Sequence, residues 1–460
     1  MLSGKEVFGW YRPAAVEQAM RARLPQKAIQ TPTVFAAAGA ALLTATFIGA
    51  RSPVRGLAAF AALLLVGLAL LKVEVALYLL IAAAPLEAAF QLSEDQLRSP
   101  SKLAGALTAV SFVLWLMTTR ERVSFDRAHG ILLLLLGIAM MSTLQARSLA
   151  DGLSVTARYT GFLLLFIVVS QLATRPAVRT RVLWVLSLSC AASSLIGLQR
   201  YFSGEAVAAS LPFNNQNDFA YILATTLPLT LWLLRSAPGR RGLVAALAAV
   251  LAAGAVLAFS RGALLGLAAA FVWHLVTQRR HRVAAVVATV LMAVAVFAVV
   301  QLDPVRFDTS LELKSRVADQ NVSSRIVLWQ AASELAVDHP ILGIGPGNFR
   351  TYFYEATDIP LGFENLIVVH NAYLDVATEL GFPAMVLFVL FLFITFRRVS
   401  AMVADERGPP GYAAAVQSAL VVGLVGALTL SEQFFPPLWI LSGLVAALWR
   451  SPSPDDSALT

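Results

Sequence analysis

Apolar stretches separated by short polar breaks recur along nearly the whole chain. Each stretch is roughly 17 to 20 residues long, which lets a helix cross the ~30 Å hydrocarbon core of a bilayer. The pattern predicts an all-α, polytopic membrane protein with about 12 to 14 transmembrane helices. The predicted spans lie near residues 34–50, 56–71, 74–90, 103–118, 129–145, 158–173, 183–199, 216–234, 242–259, 262–278, 283–302, 378–396, 413–430 and 434–449.

Polar residues divide this pattern into five segments. An N-terminal segment at 1–32 precedes the spans, a transmembrane helix bundle covers 33–302, and C-terminal transmembrane helices fill 370–450. A long polar interval at 303–369 separates the two groups of spans, and a short polar tail at 451–460 follows them. The interval has room for chemistry outside the bilayer. The N-terminal segment has the spacing of an amphipathic surface helix, with a disordered tail as the alternative.

Composition and charge agree with a membrane protein. Hydrophobic residues make up 58% of the chain and charged residues 13%, whereas about a quarter of the residues of a soluble protein carry charge. The net charge of +8 is concentrated in alternate short loops, which the positive-inside rule makes cytoplasmic. Both termini are then cytoplasmic, and the 303–369 interval lies on the outer side. Cys190 is the single cysteine, so no disulfide framework is available.

Two arginines stand at the outer ends of predicted spans. Arg261 interrupts an apolar run where two spans meet, and Arg200 ends another span. A guanidinium is costly to bury unless it faces a partner or a wet cavity, and its planar fork suits a phosphate or a carboxylate. Both are therefore candidates for binding a charged substrate. The alternative for each is snorkelling to lipid headgroups.

Five consecutive polar residues open the span near 216–234, and they are Asn214, Asn215, Gln216, Asn217 and Asp218. Side-chain oxygens of such residues cap a helix start, which explains one or two of them. The others offer hydrogen-bonding groups to a sugar or a lipid headgroup. Asn214, Asn215 and Asn217 are therefore candidates for substrate binding.

Apolar residues at helical spacing inside the polar interval predict a helix over 322–337, with Ser323 or Ser324 as its cap. Arg325 then falls in the first turn, where the helix dipole disfavours a positive charge. Something must hold the guanidinium there. An anionic ligand would do so, and a salt bridge to Glu334 or to another acid of the interval is the alternative.

The motif GIGPGNFR follows this helix, and its glycines permit tight turns near a ligand. Arg350 ends the motif and is a further candidate for substrate binding. His370 lies where the interval meets a span, and its polar neighbours Asn371 and Tyr373 are also candidates. A neutral imidazole near its usual pKa of ~6.5 is suited to take a proton from a hydroxyl group. The alternative is a histidine satisfied at a helix start.

Five motifs follow one another between about residues 183 and 396: PFNNQNDFAYILATTLPL, FSRGALLG, SRIVLWQAA, HPILGIGPGNF and HNAYLDVATELGF. In this order, across many spans, they resemble the bacterial O-antigen ligase and O-antigen polymerase superfamily. The resemblance implies a GT-C-like helical fold in the bacterial inner membrane, with one large helical periplasmic loop. It also implies transfer of a glycan from undecaprenyl pyrophosphate to an acceptor, without a cofactor, a metal or a nucleotide sugar.

Carried onto this sequence, the resemblance places the essential arginines at Arg261 and Arg325 and the essential histidine at His370. Two guanidiniums would stabilise the charge that develops on the leaving pyrophosphate. His370 would deprotonate the acceptor hydroxyl for a single, inverting displacement. The expected partners are the lipid-linked glycan donor, a lipid or glycan acceptor and membrane lipids, and no nucleic acid is expected.

The acceptor distinguishes two forms of this activity. A ligase transfers a finished glycan to lipid A core or a similar acceptor, whereas a polymerase extends a second lipid-linked glycan. The complete set of carried-over residues favours the ligase. A transporter of lipid-linked oligosaccharides predicts internal repeats and charges at mid-membrane depth, and the sequence indicates neither. A peptidoglycan polymerase of the shape, elongation and division type fits the span count but gives no role to a histidine beside arginines.

Overall fold

A computed structural model of the chain describes residues 53–87, 99–212, 215–279, 282–356 and 368–451. Every regular element within these ranges is a helix, which confirms the predicted all-α class. The predicted N-terminal surface helix, the span at 34–50 and nearly all of the C-terminal tail lie outside the described residues. The chain forms two compact units, residues 1–76 and 77–460.

The described helices follow one another with short connections. They are α1 (Pro53–Leu71), α2 (Val73–Leu86), α3 (Pro100–Thr119), α4 (Arg127–Thr143), α5 (Leu149–Leu172), α6 (Pro176–Ser203), α7 (Gln216–Ser236), α8 (Arg241–Leu257), α9 (Arg261–Thr277), α10 (Arg282–Val300), α11 (Pro304–Asp338), α12 (Phe349–Ala356), α13 (Ala372–Leu380), α14 (Phe382–Ala404), α15 (Tyr412–Gly426) and α16 (Pro436–Arg450). In the first unit the structure describes α1 and the start of α2, and all other described helices belong to the second unit.

Six of the described helices are long and apolar enough to cross a membrane. A seventh span results if the pair 285–300 and 304–315, which bends by 100°, is one broken span. Shorter apolar helices, among them α9 and α15, coincide with other predicted spans. The multi-pass architecture is therefore confirmed, whereas the count of 12 to 14 spans stays a prediction.

The helix of the polar interval is longer than its apolar spacing predicts. It runs unbroken for 35 residues, from Pro304 to Asp338, and the Asp303 carboxylate caps it by accepting the Arg306 amide at 3.0 Å. No glycine or second proline interrupts this stretch of sequence. The predicted start at Ser323 or Ser324 is therefore wrong. Arg325 lies in the middle of α11, so the helix dipole does not act on it.

The predicted span at 378–396 is in fact two helices, because Gly381 breaks it. Gly381 has a φ of +85°, and a Cβ built on it would lie 2.3 Å from the carbonyl oxygen of Ile341. Only glycine fits such a position. Helix α13 ends there, and α14 begins at once with Pro383 in its first turn. The nine-residue α13 is consequently a separate helix from the long span α14.

Aromatic side chains on α5, α14 and α16 form one layer of the core. The Phe391 ring lies 5.6 Å from that of Phe166 and 5.8 Å from that of Trp439, measured between centroids. All three residues are fully buried. Edge-to-face and stacked pairs of this kind stabilise a core beyond the area they bury. The layer fixes α14, and with it the end of α13.

Candidate active site

His370 directly precedes α13 and has an unusual backbone. Its φ is +54°, a left-handed conformation that costs a residue other than glycine of the order of 1 kcal/mol. Asn371 is the cap of α13, because its side-chain oxygen accepts the amides of Tyr373 and Leu374 at 3.1 Å each. The imidazole is half-buried and forms no hydrogen bond with another described residue. Among the described residues, the cap of α13 is therefore Asn371 and not His370.

Helix α11 packs along α13 and brings the positive charge of Arg325 towards His370. The Trp329 indole donates a hydrogen bond to the carbonyl of Val369 at 2.8 Å, and the Thr378 hydroxyl donates one to the carbonyl of Ala332 at 2.9 Å. Arg325 precedes Trp329 by one helical turn and shares its face. Burial, and then the positive charge of Arg325, lower the pKa of His370 to about 4. The imidazole is therefore neutral at physiological pH, but the expectation of a pKa near the usual ~6.5 is wrong, because burial and a positive neighbour disfavour the charged form.

Arg261 is the first residue of α9, and its side chain is exposed. Phe259, two residues earlier, has a φ of +53°, which turns the chain between α8 and α9. Gly262 packs against the turn after α15, where its Cβ would meet the Thr429 hydroxyl at 2.6 Å. The same turn accepts the amide of Ala372, which donates to the carbonyl of Ala427 at 2.8 Å. The starts of α9 and α13 thus border a single turn.

Arg200 has internal partners. Its guanidinium donates to the carbonyl of Ser210 at 2.9 Å and pairs with the Glu205 carboxylate at 3.5 Å. These contacts hold the connection between α6 and α7 and offer an explanation for Arg200 other than snorkelling. Its role in substrate binding stays a prediction.

The asparagine-rich segment is used in part as a cap. The Asn215 side chain accepts the amide of Asn217 at 2.9 Å and caps α7, as the structural alternative predicted. Asn214 lies outside the described residues, and Asn217 is half-buried. Lys314 of α11 donates a hydrogen bond to the Gln216 side chain, so α11 passes over this segment. Sequence analysis did not select Lys314, because its proximity to Gln216 depends on the unbroken α11.

The glycine motif packs on α13. Gly343, Gly345 and Gly347 all have positive φ, as tight turns require. A Cβ on Gly343 would lie 2.3 Å from the carbonyl carbon of Glu379, so the two backbones touch. The amide of Gly345 donates to the carbonyl of Glu379 at 3.0 Å. These glycines therefore serve close packing against α13, and Arg350 follows them in α12.

Two buried carboxyl groups lie one turn apart on α13. Asp375 accepts a hydrogen bond from the Gln433 side chain at 2.6 Å, and Glu379 accepts one from the amide of Gly347 at 2.8 Å. Burial raises the pKa of both carboxyl groups, and their proximity raises that of Glu379 further. Sequence analysis gave them no role. Their spacing of four residues, on a segment without other charges, was the available signal.

The side chains of Asn371 and Tyr373 also make internal contacts. Asn371 caps α13, and the Tyr373 hydroxyl donates to the carbonyl of Leu424 at 3.3 Å. Within the described ranges, no group of three or more His, Cys, Asp or Glu side chains is arranged to hold a metal ion. His370 instead adjoins the capped start of α13 and is affected by the positive charge of Arg325.

Residues 243–389 match a family model described as O-antigen ligase. The matched segment includes Arg261, Arg325, Arg350 and His370, together with α13 and the glycine motif. No curated protein matches the chain.

Proposed function

The chain carries the domain of the O-antigen ligase family, and from this premise we propose that it is an inverting membrane glycosyltransferase. It transfers a glycan from undecaprenyl pyrophosphate to an acceptor hydroxyl. The observation that carries the proposal is the packing of α11 along α13, through Trp329 and Thr378, which brings the positive charge of Arg325 close enough to lower the pKa of His370. The neutral imidazole can accept a proton, and the growing negative charge of the leaving group would favour the imidazolium that results.

The reaction is a single displacement at the anomeric carbon. One ring nitrogen of His370 accepts the proton of the acceptor hydroxyl while that oxygen forms a bond to the anomeric carbon. The bond from the anomeric carbon to the phosphate oxygen breaks, and its electron pair leaves with undecaprenyl pyrophosphate. Attack opposite the leaving group inverts the anomeric configuration. The protonated His370 returns its proton to water.

Arg261 and Arg325 bind the pyrophosphate in this scheme. Their guanidiniums stabilise the negative charge that grows as the glycosidic bond breaks, a role that a metal ion fills in other phosphate chemistry. Support for Arg261 comes from the turn at 427–429, which contacts both the start of α9 and the start of α13. We assign substrate contacts of lesser weight to Arg200, Arg350 and the polar segment 214–217.

We propose that the site faces the periplasm and that the chain lies in the bacterial inner membrane. Basic residues occupy alternate short loops, and the 303–369 interval falls on the opposite side from them. Lipid-linked donors with their glycan on that side would reach the site from the membrane. Both termini are then cytoplasmic.

A ligase is the preferred form of the activity, with a polymerase as the second candidate. The acceptor distinguishes them, since a ligase modifies lipid A core or a similar acceptor. A deletion strain complemented with this chain should show a mass increase of its lipid A core. Longer lipid-linked glycans without that increase would identify a polymerase instead.

The reaction itself is tested with purified protein, a lipid-linked glycan donor and an acceptor. We expect release of undecaprenyl pyrophosphate and inversion at the new linkage, measured by mass spectrometry and by nuclear magnetic resonance of the product. Retention of configuration would exclude the single displacement. Movement of the intact donor across vesicles, without cleavage, would favour the transporter of lipid-linked oligosaccharides.

A further inference from the structure

Glu379 lies near the end of α13, the same short helix that starts beside His370. Its side chain is 5% exposed, and its two carboxyl oxygens have separate partners. One oxygen accepts the amide of Gly347 at 2.8 Å, and the other accepts the amide of Phe349 at 3.5 Å. Phe349 is the first residue of α12, whose free amides attract a carboxyl oxygen.

Backbone hydrogen bonds also join α13 to the loop at residues 343–349. The amide of Ile344 donates to the carbonyl of Thr378 at 3.0 Å, and that of Gly345 donates to the carbonyl of Glu379 at 3.0 Å. The close approach of Gly343 to Glu379 leaves no space for a side chain between the two segments. The loop from 343 to 349 therefore moves with α13.

Arg350 follows Phe349 directly and is the first charged residue after this attachment. Its side chain is half-buried and forms no hydrogen bond or ion pair with another described residue. A guanidinium that pairs with no carboxylate among the described residues is available to an anion. Arg350 is the next residue after Phe349, whose amide is hydrogen-bonded to Glu379. Glu379 is joined to His370 by α13, so these links set the position of Arg350 relative to His370.

We propose that Glu379 is a positioning residue that holds Arg350 in register with His370, so that Arg350 binds the pyrophosphate of the lipid-linked donor. The inference rests on the proposed function. Glu379 itself touches neither donor nor acceptor. It acts through the two amide contacts at the start of α12.

The test is a double-mutant cycle between Glu379 and Arg350, with the lipid-linked glycan as donor. Glu379→Leu removes both acceptor oxygens, and we expect the KM for the donor to rise about tenfold, as for one misplaced charge-assisted contact. Arg350→Ala should raise the KM to a similar extent. Because both changes act through one contact, the double variant should be no worse than Arg350→Ala alone. Independent, multiplicative effects on the KM would overturn the inference.

A conservative variant and a matched control separate positioning from folding. Glu379→Gln keeps a carbonyl oxygen for the Gly347 amide, so most of the donor affinity should return. Gln145 donates to the carbonyl of Gly343 at 2.9 Å, at the far end of the same loop. Gln145→Met should lower thermal stability without changing the KM for the donor. A KM that rises equally in both loop variants would make Glu379 merely structural.

Release of undecaprenyl pyrophosphate by the wild-type protein separates a failure of the role of Glu379 from a failure of the proposed function. If the wild-type protein releases undecaprenyl pyrophosphate and Glu379→Leu retains its KM, the role of Glu379 is wrong and the proposed function stands. If the folded wild-type protein releases none from any lipid-linked donor, the proposed function fails, and the role of Glu379 fails with it.

Discussion

The indole nitrogen of Trp329 lies 2.8 Å from the carbonyl oxygen of Val369 and donates a hydrogen bond to it. This contact joins the middle of α11 to the residue before His370. Arg325 lies one turn from Trp329, and its positive charge acts on the imidazole of His370. A long helix outside the predicted spans thereby supplies one half of the site, and the start of α13 supplies the other.

His370→Ala tests the proposed base. Removal of a general base lowers kcat by about 10²- to 10⁴-fold, measured as release of undecaprenyl pyrophosphate. The matched control is His339→Ala, because His339 ends α11 and packs edge-on against Tyr352 at 6.0 Å between ring centroids. That control should retain a kcat close to wild type. Equal losses of kcat in the two variants would exclude His370 as the base.

The pH dependence follows from the lowered pKa of His370. Its neutral form, which is the active base, is present above a pKa of about 4. The kcat should therefore stay level from neutral pH down to about pH 5 and fall as the pH approaches 4. Arg325→Gln removes a positive neighbour, so the pKa should rise and the acidic fall should begin at higher pH. An unshifted acidic limb in that variant would contradict the effect of the Arg325 charge on His370.

The lowered pKa of His370 also makes the stability of the folded protein depend on pH. The unfolded chain titrates His370 near pH 6.5, whereas the folded chain does so near pH 4. Between these values the unfolded state binds more protons, so this group's contribution to stability is lost as the pH falls from about 6.5 to 4. Thermal unfolding in detergent at several pH values measures it. His370→Gln should reduce this dependence, and an unchanged slope would assign it to other groups.

Trp329→Phe tests the hydrogen bond that joins α11 to His370. A smaller aromatic ring is kept, but the Val369 carbonyl loses its donor, at a cost of about 1 to 3 kcal/mol in the free energy of unfolding. We expect a lower melting temperature together with a lower kcat. Trp232 offers a matched control, because its indole donates to the carbonyl of Pro410 at 3.0 Å, before the start of α15. Trp232→Phe should lose stability only, and a fall in kcat there would make the effect nonspecific.

Gly343→Ala tests the contact between the glycine motif and α13. Its φ of +67° is strained for alanine, and the new Cβ would overlap the backbone of Glu379 at 2.3 Å. We expect a loss of more than about 1 kcal/mol in the free energy of unfolding. Gly130 lies inside α4 with nothing within 4 Å of its Cβ position. Gly130→Ala should therefore be neutral or stabilising, by up to about 1 kcal/mol. Similar melting temperatures for both variants would contradict the close packing at Gly343.

Local sequence was sufficient for features that depend on neighbouring residues. Apolar runs predicted helices, because a backbone in lipid must satisfy its own hydrogen bonds. The Asn-rich segment predicted a cap, and Asn215 provides it. The family motifs were recognisable by their order, and the family match over residues 243–389 confirms that resemblance.

Tertiary contacts decided the features that sequence analysis missed or misplaced. Residues 322–337 show a local apolar stripe, but the helix extends back to Pro304, where Asp303 caps it. Glu379 gained its partners only when the glycine motif, some 30 residues away in sequence, folded onto α13. Apolar periodicity reports which face of a helix is buried, and it carries no information on the distant backbone amide that a buried carboxyl group will meet.

The sequence by itself therefore determined an all-α membrane protein and the kinds of side chain available for its chemistry. Only the tertiary structure decided that α11 brings the charge of Arg325 to act on His370 and that α13 links His370 to the loop before Arg350. Spans and caps arise from interactions within a few residues, which periodicity records. The site arises from packing between segments that are remote along the chain, and such contacts leave no periodic trace in the sequence.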